Sequence, residues 1–340
     1  MILSIESSCD ETGAAVVRKQ GRGVEVIASV KASSEELQTE YGGVVPEVAA
    51  REQIKVVLPV IEKVMSKAGV GEDEIEAVAV AVGPGLMGSL LIGVESSKAL
   101  AWGWNKKLLA VNHMQGHVLA NWIRQEKNWS PPTLPALALV VSGGHTDLVL
   151  INSLDDWSRV GGTRDDAAGE CFDKAARALG LGYPGGPEIE KWAGKTNKSR
   201  FKLPRPLIHN ESLELSFSGL KTAVVREVEK AGDLNKQSRS ELAWEINEAV
   251  VDVLAEKTKR VVVQFAPESL LLAGGVAANR KLRDRLSNMS DKWGLDFRMP
   301  DFTYCTDNAA MIGAAAVLIE TEADRLDLRP KVNLGTAEQV

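Results

Sequence analysis

The chain has 340 residues, of which 44% are hydrophobic and 25% charged, the balance of a globular protein large enough to build two cores. A formal net charge of -6 excludes a generally basic nucleic-acid binder, so any RNA contact needs a local patch or a partner. No apolar run is long enough for a bilayer, no basic segment precedes an apolar stretch, and Cys9, Cys171 and Cys305 form no C-x-x-C pair. The expectation is therefore a cytoplasmic protein with no signal peptide, membrane anchor, disulfide framework or thiolate zinc cage.

In chain order, residues 2–17 predict a strand, a polar turn and a second strand. Ile54, Val57, Leu58, Ile61 and Met65 fall on one helical face. Ala77 to Val82 reads as a buried strand that enters Gly83-Pro84-Gly85 and then a helix from Ser89 to Trp104. Residues 136–151 repeat the plan of 2–17, with a Ser-Gly-Gly-His-Thr-Asp turn between two apolar strands. The stretch 182–218 is rich in proline, glycine and charge and predicts an irregular insertion or mobile segment. Leu242, Ile246, Val250 and Val253 mark a further helix. Leu270 to Ala273, Gly274-Gly275 and a helix from Ala277 to Leu286 repeat the 77–104 plan. Strands and helices mixed in two similar halves predict an α/β protein of two related lobes.

Strand–glycine–helix junctions gather free backbone N–H groups and the positive end of a helix dipole, which suits a phosphate. Gly83-Pro84-Gly85, Ser142-Gly143-Gly144, Gly185-Gly186-Pro187 and Gly274-Gly275 are four such junctions. Each alone is an ordinary tight turn; four across both halves favour a nucleotide held between lobes. No P-loop is present and no G-x-G-x-x-G follows a strand. The segment from Asp165 to Lys174 reads either as an acidic helix start or as a cleft face on which Asp173 holds substrate hydroxyls.

Two of the four histidines, His113 and His117, stand at i and i+4, a spacing that lets both imidazoles share a metal on one helix face. A chance pair is the alternative. A carboxylate should complete such a site, and Asp307 is the best candidate, although it is equally placed to cap the Ala-rich helix that follows. Met114 after His113 removes the glutamate that an H-E-x-x-H protease requires.

Together these segments resemble the TsaD/Gcp family. The resemblance rests on ESSCDET at 6–12, GGVVPE at 42–47, GPGLMGSL at 83–90, the histidine pair, VSGGHT at 141–146, DDAAGECFDKAARALGLGYPGGP at 165–187, LSFSGLKTA at 215–223, GGVAAN at 274–279 and CTDNAAMIGAAA at 305–316. It implies an actin/Hsp70/sugar-kinase (ASKHA) fold. The first lobe is expected over residues 1–112, completed by a C-terminal helix at about 318–340. The second is expected over 113–317, with a Pro/Gly/basic insertion at about 182–218. It also implies transfer of a threonylcarbamoyl group from threonylcarbamoyl-adenylate to N6 of a tRNA adenosine in the anticodon loop. His113, His117 and Asp307 would then hold one divalent metal, iron or zinc. Val141, Ser142, Gly143, Gly144, His145, Asp173, Gly186, Glu190 and Asn279 would contact an adenylate-type nucleotide in the interlobe cleft. Asp10 and Glu11 correspond to the family's acidic pair, and either is a candidate acceptor for the N6 proton.

Relatives of the bacterial type work with a paralogous actin-like subunit (TsaB-like) and a small ATPase (TsaE-like), with no membrane involved. The chain departs from the family at Gln53, where many relatives have histidine, and at Gln115, where glutamate is common. For the tRNA phosphates, Lys191, Lys195, Lys198, Arg200, Lys202 and Arg205 crowd one segment beside Trp192 and Phe201, which reads as an RNA contact or as a solvated charged loop. The readings set against the transferase are a small-molecule kinase and a non-catalytic nucleotide-binding scaffold of the same superfamily.

Overall fold

The computed structural model describes residues 1–33, 44–124, 129–319, 321–323 and 327–340; Gly42 and Gly43 of the GGVVPE motif lie outside these. The chain forms two compact units, one of residues 1–132, 153–157 and 300–340, the other of residues 133–152 and 158–299.

In the first unit β1 (Ile2–Glu6) pairs antiparallel with β2 (Glu11–Gln20), which pairs with β3 (Gly23–Ser33). On the other side of β1, β4 (Ala77–Gly83) and β5 (Lys107–Asn112) run parallel to it. Period-two alternation decides what β1 faces. Leu3 and Ile5 join the core with Val57, Val60, Ile61 and Val64 of α1 (Pro46–Ala68) and Val94 of α2 (Met87–Gly103). Ser4, pointing the other way, donates its hydroxyl to the Ala309 carbonyl at the start of α9 (Ala309–Leu318). A Cβ on Gly313 of α9 would lie 2.6 Å from Val17 and 2.8 Å from the Ser4 hydroxyl, so glycine is what lets α9 settle onto this face.

The second unit repeats the strand plan. β6 (Ala136–Val141) pairs antiparallel with β7 (Thr146–Ser153) and parallel with β10 (Ser269–Ala273), which pairs with β11 (Asp296–Arg298). β8 (Asp156–Thr163) and β9 (Glu214–Leu215) complete the sheet. The hairpins share a register, Ile2 facing Val17 in one and Ala136 facing Ile151 in the other, so the duplication read from the residues is a duplication of topology. The helices of this unit are α4 (Ala168–Ala178), α5 (Gly185–Ala193), α6 (Ser218–Ala231), α7 (Lys236–Phe265) and α8 (Arg280–Trp293). None of the described helices is long and apolar enough to cross a membrane.

Four local expectations differ from the structure. Ile54 and Leu58 are 65% and 57% exposed, because the stripe that α1 buries runs through Gln53, Val57, Val60, Ile61 and Val64. The 182–218 stretch is not wholly irregular, since it contains α5. Residue 112 is not where the units divide; the first continues through the histidine pair to residue 132. The described residues after 320 form the short strand β12 (Glu322–Ala323) beside β5 and an extended strap rather than a helix. That strap is held by Lys331 N–H on the Val82 carbonyl (2.6 Å) and Gly85 N–H on the Val332 carbonyl (3.3 Å).

Asp165 shows how a loop acid can start a distant helix. Its carboxylate accepts from the Phe217 and Ser218 N–H groups (2.8 and 3.2 Å) and from the Ser216 and Ser218 hydroxyls (2.5 and 2.9 Å), satisfying the free donors that open α6. Burial works against the charge, but these hydrogen bonds prevail and hold the Asp165 carboxyl below the usual carboxylate value. A depressed carboxyl stabilises the fold above the unfolded value, about 3.9 for aspartate, and that contribution is lost as pH falls through the folded value. Asp165→Asn is therefore expected to lower the urea midpoint at pH 7, with the difference from the unsubstituted protein shrinking as pH falls below about 3.9.

Candidate functional site

The residues singled out in the first unit converge where β1 and β5 end. β5 runs directly into α3 (His113–Leu119), whose first residue is His113. Asn112 caps this helix, accepting from Met114 and Gln115 N–H (2.9 and 3.4 Å). Its amide nitrogen donates to the Gly335 and Glu338 carbonyls, both at 2.9 Å. Gln115 also donates to Glu338 (3.3 Å), which an ionised glutamate at that position could not do. The helical spacing brings the two imidazoles to a centroid distance of 4.7 Å.

Asp307 joins them just ahead of α9. One carboxylate oxygen lies 3.1 Å from His117 Nε2 and 3.5 Å from His113 Nε2. It is not the helix cap, because Asn308 takes that role by accepting from Met311 N–H at 2.9 Å. The ligand atoms of the three side chains lie within 4.8 Å of one another.

Glu6 and Ser8, which the sequence does not single out, supply the other half of the cluster. Glu6 Oε2 lies 3.0 Å and Ser8 Oγ 3.1 Å from His113 Nδ1, leaving Nε2 directed at Asp307. A carboxylate on the far ring nitrogen is the usual orienting contact of a metal-binding histidine. Glu6 also accepts from Ser8 N–H at 2.5 Å, which ties the loop to the strand end.

The electrostatics of the cluster fit a cation. Burial opposes charge on His113, but Glu6 and Asp307 outweigh it and hold the imidazole well above its ordinary value. Burial likewise opposes charge on Asp307, and the facing His113 holds that carboxyl well below its ordinary value. Burial, with Asp307 and Asp10 nearby, pushes Glu11 up to about 9, partly offset by Lys31 at 3.3 Å. Among the described residues neither ring nitrogen of buried His117 makes a well-formed hydrogen bond, although Nε2 lies 3.1 Å from Asp307. Unpaired buried polar atoms are rare and costly, and a bound cation would give Nε2 a partner. Two imidazoles and one carboxylate suit zinc or iron and leave coordination positions open.

The candidate nucleotide contacts all lie in the second unit, where they close into a ring. The turn after β6 is fastened by Ser142 N–H on the His145 carbonyl (2.8 Å) and His145 N–H on Ser142 Oγ (3.1 Å). Gly169 N–H reaches the Ser142 carbonyl (3.2 Å), and α4 carries the chain to Asp173. Asp173 accepts from Gly185 N–H (2.7 Å), and α5 carries the chain on to Glu190. Glu190 accepts from Arg280 N–H (2.8 Å), next to Asn279, which caps α8 through Leu282 N–H (3.0 Å) and donates to Asn247 (2.8 Å). Gly274, at φ 89°, returns to the start, since a Cβ there would lie 2.4 Å from the Val141 carbonyl.

Two classes of glycine separate here. Gly169, Gly185 and Gly274 make room for neighbouring backbone. At Gly143, Gly144, Gly186 and Gly275 an added Cβ would meet nothing within 4 Å, and none of these has a left-handed φ. Among the described residues no neighbour requires glycine at these four positions.

The family described as TsaD: tRNA N6-adenosine threonylcarbamoyltransferase matches residues 25–314. A curated relative of that description from Symbiobacterium thermophilum is 46% identical over 329 residues, covering 96% of this chain and 94% of the relative. One from Clostridium perfringens is 43% identical over 342 residues, covering 100% and 99%. Among solved structures, full-length HypF in its phosphate- and nucleotide-bound form matches with a TM-score of 0.58 at 12% identity, over 93% of this chain and 46% of that one. Component A of the Acidaminococcus fermentans (R)-2-hydroxyglutaryl-CoA dehydratase matches at 0.53 and 14%, over 94% and 96%. These structural likenesses agree with the duplicated strand plan in giving a two-lobed, actin-like α/β fold. Identity of this order over nearly the whole of both chains leaves one conclusion: the chain belongs to the TsaD family of tRNA N6-adenosine threonylcarbamoyltransferases.

Proposed function

We propose that this chain transfers the threonylcarbamoyl group of threonylcarbamoyl-adenylate to N6 of adenosine 37 in ANN-decoding tRNAs, using His113, His117 and Asp307 to hold iron or zinc. The observation that supports this reading is the buried His117, whose Nε2 lies 3.1 Å from Asp307 beside a His113 already oriented by Glu6, the three sets of ligand atoms falling within 4.8 Å of one another. Family membership removes the kinase and scaffold alternatives.

In the reaction the adenosine N6 attacks the carbamoyl carbon, the bond from that carbon to the phosphate oxygen breaks, AMP leaves and N6 gives up a proton. The adenine amine is a weak nucleophile because its lone pair is delocalised into the ring, so catalysis rests on positioning and on stabilising developing charge. A divalent cation, when bound, supplies a Lewis acid that polarises and orients the acyl group. Glu6 and Ser8 hold the His113 ring so that Nε2 remains a donor atom. The bare turns at Gly143-Gly144 and Gly186 admit the phosphate, while Asp173, Glu190 and Asn279, each fixed by a backbone or amide contact, line the nucleotide's place. Of the acidic pair, Asp10 is the carboxyl group to take the N6 proton, because Glu11, pushed up to about 9, already holds one at neutral pH.

The protein acts in the cytoplasm in this reading, with a TsaB-like paralogue and a TsaE-like ATPase. An exposed apolar set on neighbouring helices, Ile54 and Leu58 of α1 with Met87 and Leu91 of α2, supports a protein partner. For tRNA the basic segment narrows. Arg205 is committed to Glu245 and Asp252, and Arg200 to Ser238. Lys198 and Lys202 are exposed and make no ion pair among the described residues.

The direct test supplies threonylcarbamoyl-adenylate and unmodified ANN-decoding tRNA, with the two partner proteins present, and measures the modified adenosine by mass spectrometry. Product is expected; its absence with active partners contradicts the reading. His117→Ala is expected to lose bound metal and transfer together, measured by metal analysis beside the same assay. Gly144→Ala and Gly186→Ala should leave the thermal midpoint unchanged or raise stability by about 0.5–1 kcal/mol, while weakening AMP binding measured by calorimetry. Lys198→Glu with Lys202→Glu should weaken tRNA binding and lower its salt slope by about one per lost phosphate contact, whereas Arg205→Ala should instead lower the unfolding midpoint.

A further inference from the structure

The loop from Ser7 to Asp10 turns β1 into β2 next to the metal cluster, and its carbonyls need partners from outside the hairpin. Two come from the start of α2: the N–H of Leu86, the residue before the helix, reaches the Ser8 carbonyl (2.8 Å), and Ser89 Oγ reaches the Cys9 carbonyl (2.7 Å). The remaining donor comes from α1. Gln53 Nε2 lies 3.1 Å from the Cys9 carbonyl, 2.9 Å from the Glu11 carbonyl and a longer 3.5 Å from the Ser7 carbonyl. All three neighbours are acceptors, which fixes the orientation of the amide. Gln53 is 1% exposed, and its Oε1 is buried with no hydrogen-bond partner among the described residues. An apolar residue would avoid that orphan oxygen, so the contribution of the amide lies on its nitrogen side.

We infer that Gln53 is a positioning residue for the metal cluster, acting through this loop. The loop carries Ser8, whose hydroxyl meets His113 Nδ1, and Ser8 N–H anchors the Glu6 carboxylate that meets the same nitrogen. Just past its far end stands Glu11, whose carbonyl accepts the Gln53 amide at 2.9 Å. Loss of the Gln53 donor frees the Glu11 carbonyl and loosens the backbone on both sides of Ser8, so the His113 ring loses a defined orientation. A ring that can swing is a poorer ligand, and outer contacts of this kind are worth about 10–100-fold in metal affinity.

The inference rests on the proposed metal reading, so the test separates the two. Cobalt(II) alone is titrated into chelator-treated full-length protein, with its visible d–d spectrum reporting coordination geometry. Gln53→Leu is expected to weaken cobalt binding about 10–100-fold and to alter the spectrum. Val57→Ala, a cavity in the same helix, should lower the unfolding midpoint yet leave affinity and spectrum unchanged. Gln53→His, which keeps a ring N–H, should recover part of the loss. Gln53→Leu that binds cobalt with unchanged affinity and spectrum overturns the inference. Should Gln53→Leu fail to fold, Gln53→Asn decides, because an amide one methylene shorter cannot span the loop, and unchanged binding by it is equally fatal. Absence of cobalt binding by the unsubstituted protein overturns the metal reading itself, and the inference with it.

Discussion

The first unit must accommodate three buried polar side chains, Glu6, His113 and His117, against a half-buried Asp307 where the parallel strands β1 and β5 end. Isolated buried charges are expensive, and each of these groups is tolerable only because another faces it. Glu6 offsets His113 on one side and Asp307 offsets it on the other, while the same Asp307 oxygen lies 3.1 Å from His117 Nε2. The surrounding elements follow from that arrangement. Asn112 starts α3 where β5 stops, Asn308 starts α9 so that Asp307 is released for the cluster, and Ser4 and Gly313 let α9 lie against the sheet.

The same strand plan serves a different chemistry in each unit. In the first, the turn between the opening strands carries Asp10 and leans on α1 and α2 for its hydrogen bonds. In the second, the equivalent turn is fastened on itself through Ser142 and His145 and carries two glycines. A turn held from outside suits orienting a neighbouring side chain, and a glycine turn suits close approach of a phosphate. One duplicated strand plan thus carries two turns of different chemistry at equivalent places.

Much of this was legible in the residues, for reasons that can be named. The hairpins 2–17 and 136–151 were visible because alternation and a polar turn are local signals, and the histidine pair because i, i+4 spacing is local too. Asp307 was readable only as one of two things, a ligand or a cap. The ambiguity lifts once Asn308 is seen to cap α9, a matter of one residue's register. Glu6 was missed because its partner is 107 positions away. The available hint was an acid closing the mainly apolar strand Ile2–Ile5, where the structure buries it to 1% exposure. The α1 face was misread at Ile54 and Leu58 because apolar residues lie on both flanks of the buried stripe, and only the sheet decides which flank it takes. Glycines were countable, but which of them yield to backbone and which leave open surface depends on neighbours far along the chain.

The central claim is that two imidazoles and one carboxylate hold the metal. X-ray absorption at the metal edge of the purified protein tests it most directly. The account predicts a first shell of two histidine nitrogens with oxygen neighbours and no sulfur, losing one imidazole contribution in His113→Ala and in His117→Ala. A thiolate in that shell, or a spectrum unchanged by both substitutions, contradicts it.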